Sequence, residues 1–170
     1  MAGIGYTPAC GKKRGGVESI ALVPAGHITN VEFEDGKCIA ITLDEGAEFS
    51  GFTLREGEAC YTEESASGPG PALIVHTLVF ALEMMDGASA SVVEALCRNS
   101  MDGLVAVVSL ADGTRLMAGC SPRFGTAYPL RVGEVSSTSG RKAGDTPQRK
   151  LVLVSRDTQP ACELAPSVAI

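Results

Sequence analysis

The chain has 170 residues, 45% hydrophobic and 20% charged, which suits one globular domain with one core and excludes wholesale disorder. Its formal net charge of −6 excludes a broadly basic nucleic-acid-binding surface, because phosphate contacts need clustered Lys and Arg. The charge is uneven: residues 1–86 hold 5 basic and 13 acidic groups, and residues 87–170 hold 9 and 7. Such asymmetry lets copies of one chain meet with opposite surfaces facing, although a solvated acidic face without a partner accounts for it equally well.

Taken in order, residues 1–16 (MAGIGYTPACGKKRGG) read as a flexible N-terminal arm carrying Lys12, Lys13 and Arg14, ahead of one β-rich domain over 17–165. Residues 17–23 are the first predicted strand. The runs 28–33 and 37–43 flank Asp35-Gly36, a hairpin signal, because a type I′ turn needs positive φ at both central residues. Strict alternation places Ile39, Ile41 and Leu43 on the core face and Cys38, Ala40 and Thr42 on the other. A further strand is predicted over 47–54. Residues 56–64 are polar and acidic and suggest no element, and 65–71 (SASGPGP) form a loop. The run 73–82 (LIVHTLVFAL) is apolar on both faces, as a central or covered strand would be.

The spacing predicts one helix over 88–100, with Asp86 and Ser89 offering cap oxygens and a stripe of Ala88, Val92, Val93, Leu96 and Cys97. Residues 104–110 and 114–119 form a second hairpin around Asp112-Gly113, and 130–135 and 150–155 are strands. Between those two, 136–149 reads as a long polar loop bearing Arg141, Lys142 and Arg149, with an extended tail after Pro160.

Chemistry-bearing patterns are sparse. His27 and His76 stand far apart with no zinc-ligand spacing, and no nucleophile elbow, phosphate loop or EF-hand pattern is present. His76, inside the apolar run, reads as a structural histidine. The neighbouring carboxylates Glu63-Glu64 and Asp44-Glu45 point to opposite faces of any strand that carries them, and read as solubilising charge. The six cysteines lack any C-x-x-C pair and read as reduced thiols, several in the core, with a disulfide framework as the alternative. No secretory signal or membrane-length apolar run is evident. These readings point to a protein that is not an enzyme and needs no cofactor; a hydrolase would require a constellation not visible here.

The element order GGVESIALV, ITNVEFEDGKCIAITLDEGAEFSGFTLREG, CYTEE, HTLVFALEMMDGASASVVEALCRNS, GLVAVVSLADGTRLMAGC and KLVLVSRDTQPACEL resembles small structural proteins of phages and prophages of the Bacteroidetes type, tail or tail-tube components. The likeness covers about residues 15–165. It implies a mainly β fold, a β-sandwich or barrel-like unit with one short α-helix. It also implies a homo-oligomer, commonly of hexameric rings stacked into a tube, made in the host cytoplasm and ending in the virion beside other tail proteins. DNA would pass through the lumen without sequence-specific binding. No family site residue carries over. The residues themselves offer candidates: Lys12, Lys13, Arg14, Arg141, Lys142 and Arg149 for contact between subunits, and Glu32, Glu34, Asp44, Glu45 and Glu48 for an acidic lumen, within a segment 32–64 of ten acidic and two basic residues. The alternative is a tail-completion, connector or protein-binding adaptor module using Tyr128 beside Arg123, Phe124 and Arg131.

Overall fold

A computed structural model describes residue 6 and residues 14–66, 68–70 and 72–170. Two sheets face each other. The first has seven strands: β1 (Val17–Pro24), β2 (Ile28–Glu34), β3 (Lys37–Leu43), β4 (Ser50–Thr53), β7 (Leu104–Leu110), β8 (Arg115–Ala118) and β11 (Cys162–Leu164), in the order β2-β3-β11-β8-β7-β1-β4. The second has β5 (Ala59–Ala66), β6 (Leu73–Glu83), β9 (Arg131–Thr138) and β10 (Gln148–Asp157), in the order β5-β6-β10-β9. A single helix, α1 (Gly87–Asn99), links β6 to β7 and so carries the chain from one sheet to the other. The expectation of a mainly β, sandwich-like fold with one short helix is met.

Alternation builds the interior. Leu104, Ala106 and Val108 of β7, with Ile20 and Leu22 of β1, meet Leu78 and Phe80 of β6 and Leu151 and Leu153 of β10. The intervening residues Val105 and Val107 enter a second core on the opposite face of the larger sheet, with Val23, Cys38, Met117, Cys120, Cys162 and Leu164. β7 is therefore the strand buried on both faces. β6, expected to be central, does lie between β5 and β10, but only one of its faces is sealed: Val75, Thr77 and Val79 on the other are half-buried. The C-terminal segment lines the second core, with Ala165 and Val168 packed into it. Arg115 holds it there, donating from Nη1 to the Val168 carbonyl at 2.8 Å and from Nη2 to that of Ala165 at 2.7 Å.

Several local expectations change. The Asp35-Gly36 turn has the required positive φ at both residues, 48° and 77°. The strand after it, however, does not alternate strictly. Glu32 opposes Ala40 and Phe33 opposes Cys38, so Ile39 is an extra residue, a bulge. The bulge reverses the parity of the strand: Cys38 is fully buried and Ile39 is exposed, while Ile41 and Leu43 still reach the second core. The helix runs 87–99, and its inward stripe is Ser89, Val92, Val93, Leu96 and then Ser100; Ala88 and Cys97 face solvent. Its cap is Asp86, whose Oδ1 accepts from the Ser89 amide at 2.8 Å. The acidic stretch 56–64 contains most of a strand, β5, which sequence reading misses because both its faces carry polar residues at a sheet edge. The long loop shrinks, since 136–138 extend β9 and 148–149 begin β10, leaving 139–147 as a hairpin connection. There the Asp145 carboxylate accepts from the amides of Arg141 (2.8 Å) and Lys142 (3.0 Å), which hold its pKa below the ordinary value.

Three of the five described cysteines, Cys38, Cys120 and Cys162, are buried in the second core, while Cys60 and Cys97 are exposed. Burial pushes the Cys120 and Cys162 thiols up to about 12 and raises Cys38 as well. The thiolate is the reactive form, so a disulfide-exchange reagent at pH 8 is expected to label Cys60 and Cys97 at once. Cys38, Cys120 and Cys162 should react only after denaturant is added. Peptide mapping of the labelled protein checks this, and rapid labelling of Cys120 in native protein would contradict the buried placement.

Candidate functional site

Strand borders and the charged groups along them are the first candidate. β2, β4, β5 and β9 each end a sheet, and among the described residues each leaves one side without a strand partner. β9 is exposed along almost its whole length, including Val135 at 38%. It carries its own bulge: Glu134 opposes Val152 and Val132 opposes Leu153, making Gly133 the extra residue. Beyond it, 134–138 (EVSST) is regular and lacks the Lys or Pro that commonly blunts an open border.

The basic candidates disperse. Lys12 and Lys13 lie outside the described residues. Arg14 is exposed, as are Arg141 and Lys142 at the β9–β10 connection. Arg149 is not in a free loop: it sits on β10, where its Nε donates to Ser89 Oγ at 3.0 Å and its Nη1 to Ser137 Oγ at 3.3 Å, tying the helix start to the sheet. The acidic candidates form two groups rather than one surface. Glu32 and Glu34 share the exposed side of β2 near its tip, whereas Asp44, Glu45 and Glu48 occupy the turn at the other end of the β2–β3 hairpin, with Asp44 Oδ2 3.4 Å from His27 Nδ1.

The aromatic–arginine group is assembled as the residues suggested. Phe124 and Tyr128 meet edge to face at 5.3 Å, and the Arg123 guanidinium lies 5.3 Å above the Phe124 ring. A hollow of about 380 Å³ adjoins them, lined by Tyr128, Pro129, Arg131, Val154 and Arg156. Sequence reading misses Arg156, whose proximity depends on the β9–β10 register.

A polar chain that runs from the exposed Glu63 through the half-buried Tyr61 to the buried His76 also escapes the sequence. Tyr61 and Glu63 on β5 and His76 opposite them on β6 line up with the β10–β11 connection. The Tyr61 hydroxyl lies 2.8 Å from Glu63 Oε1 and 2.6 Å from His76 Nδ1; His76 Nε2 is 2.9 Å from the Gln159 carbonyl, and the Ala161 amide donates to Glu63 Oε1 at 2.8 Å. The Gln159 carbonyl only accepts, so Nε2 carries a proton. One hydroxyl proton cannot serve both Nδ1 and Glu63. All four bonds are satisfied together only when the trio holds one proton beyond neutral imidazole, phenol and carboxylate. Burial, reinforced by the Glu63 charge, raises the Tyr61 pKa and keeps the phenol protonated. His76 pins a connection far away in sequence. Tyr61→Phe leaves the buried His76 Nδ1 without its partner, and is expected to lower stability by about 1–3 kcal/mol, read from urea denaturation.

A second hollow, of about 560 Å³, lies between β4 and the start of α1, lined by Phe52, Arg55, Glu58, Glu83 and Asp86 among others. Burial and a hydrogen bond with Glu58 raise the Glu83 pKa, opposed by Arg55 at 2.8 Å. Among the described residues no group of three or more His, Cys, Asp or Glu side chains is placed to hold a metal ion. No helix is long and apolar enough to cross a membrane among the described residues. No protein-family model, curated protein or solved structure matches this chain.

Proposed function

We propose that this chain is a self-assembling structural subunit, a tail-tube-like virion protein whose copies join through their sheet borders into rings that stack into a tube. The observation that carries the reading is β9, an exposed border strand with a regular, unblunted run at 134–138. Four strands end the two sheets, β2 and β4 on one and β5 and β9 on the other, so a copy has more than one place to receive neighbours. Contacts between unlike surfaces close into rings when the rotation allows. The resemblance in element order supplies the phage setting, with other tail proteins as partners and DNA passing through without specific recognition. The exposed acidic side chains of the 44–48 turn suit a surface that repels phosphates.

Sedimentation and negative-stain microscopy of the purified chain test this. Rings or stacked tubes are expected at high protein concentration. Val135→Lys places a charge against the joining border and should leave monomers with an unchanged circular dichroism spectrum. A wild-type chain that stays monomeric at every accessible concentration would refute the assembly reading.

A further inference from the structure

Charged side chains that form no ion pair within one copy point to the surfaces through which two copies meet. Arg131 opposes Val154 across the β9–β10 pair, and Arg156 lies two residues further along β10, so both guanidinium groups leave the same outer face of the smaller sheet. Diagonal neighbours of this kind stand about 7–8 Å apart. Both are exposed, and neither takes part in an ion pair among the described residues. They flank the hollow beside Tyr128, no acidic residue lines it, and the carboxylates that share the outer face, Glu134 opposite Val152 and Glu64 opposite Val75, form no ion pair with them. Three arginines, counting Arg123 over Phe124, stand around an aromatic pair of which Tyr128 is exposed, on a chain of net charge −6.

Its complement lies on the same chain. Glu32 and Glu34 stand two residues apart on β2, exposed on one side and likewise without an ion pair among the described residues. Residues i and i+2 of a strand are separated by about 6.5–7 Å, which matches the arginine spacing. β2 is a sheet border, so among the described residues no strand of its own sheet stands beyond it.

Resting on the assembly reading above, we infer that the Arg131/Arg156 surface of one copy receives the Glu32/Glu34 face of β2 from a second copy. The contact is head-to-tail, because the two faces share no residue, and each copy keeps one of each kind free for the next. Arginine forks on carboxylates fix the register, and the Phe124–Tyr128 pair shields them from water.

Charge exchange tests it by sedimentation, with circular dichroism confirming the fold of each variant. R131E/R156E and E32K/E34K should each weaken self-association by about a hundredfold or more, since like charges then face each other. R131K/R156K should weaken it far less. An equimolar mixture of the two reversed variants should associate again, because every junction in the mixture pairs opposite charges. Undiminished association of R131E/R156E would overturn this contact while leaving assembly itself standing. A monomeric wild-type chain would overturn both. If the wild type binds a labelled single-stranded oligothymidylate, and R131E/R156E loses that binding without losing self-association, the surface serves nucleic acid and the contact proposed here is wrong.

Discussion

Gly119→Ala is expected to cost at least about 3 kcal/mol of stability, against about 1–2 kcal/mol for Gly113→Ala. Both glycines have positive φ, 87° and 88°, so both substitutions force a side chain into a left-handed backbone. Their surroundings differ. A Cβ at 113 would meet nothing within 4 Å, while one at 119 would stand 2.6 Å from the Leu104 carbonyl oxygen and 3.0 Å from the Leu130 amide nitrogen. Those two residues form a reciprocal pair of 2.8 Å backbone hydrogen bonds, a bridge that joins β7 of one sheet to the residue preceding β9 of the other. Backbone atoms cannot swing aside as a flexible side chain can, so the added methyl group either breaks the bridge or pushes the sheets apart. Urea denaturation of the two variants measures the difference. Equal losses would show that the Leu104–Leu130 bridge is not the rigid joint described here.

Phe80→Ala should destabilise by about 3–5 kcal/mol, the usual cost of removing a large ring from a packed core. Phe80 is fully buried between the sheets, with the Phe52 ring 5.6 Å away. The chain has five Phe and no Trp, and the neighbours are branched aliphatic residues with little freedom to refill such a volume. Ile39→Ser is the informative contrast. Strict alternation would put Ile39 in the core and make the change severe; the bulge puts it outside, so a shift within about 0.5 kcal/mol is expected. A loss for Ile39→Ser approaching that of Phe80→Ala would mean the bulge is misplaced.

The same pair of residues shows what could be read in advance. Phe80 lies in the most apolar run of the chain, read as apolar on both faces, so burial was legible there while the choice of Leu78 and Phe80 over Thr77 and Val79 was not. Ile39 has an equally apolar neighbourhood, yet one inserted residue inverts the faces, and a bulge leaves little local trace. The helix was legible in its existence, its Asp86 cap and Val92, Val93 and Leu96, but not in its full stripe, since small residues such as Ala88 and Ser89 fit either face. β5 was not legible at all: an edge strand with polar groups on both faces has no hydrophobic alternation to announce it. Of the candidate groups, the Tyr128 patch could be assembled from residues close in sequence. Arg156 and the Tyr61–Glu63–His76 chain required strand partners drawn from distant segments.

By itself, then, the sequence determined the class of the fold, its hairpins at Asp35-Gly36 and Asp112-Gly113, its one helix and its lopsided charge. These depend on local periodicity, turn chemistry and composition, which act over a few residues at a time. Only the tertiary structure decided that β7 rather than β6 is buried on both faces, that Cys38 replaces Ile39 inside, and that Arg131 and Arg156 stand side by side. Those outcomes depend on register and on the pairing of strands as far apart in sequence as β3 and β11, and register is set by how two faces pack, a property no single segment contains.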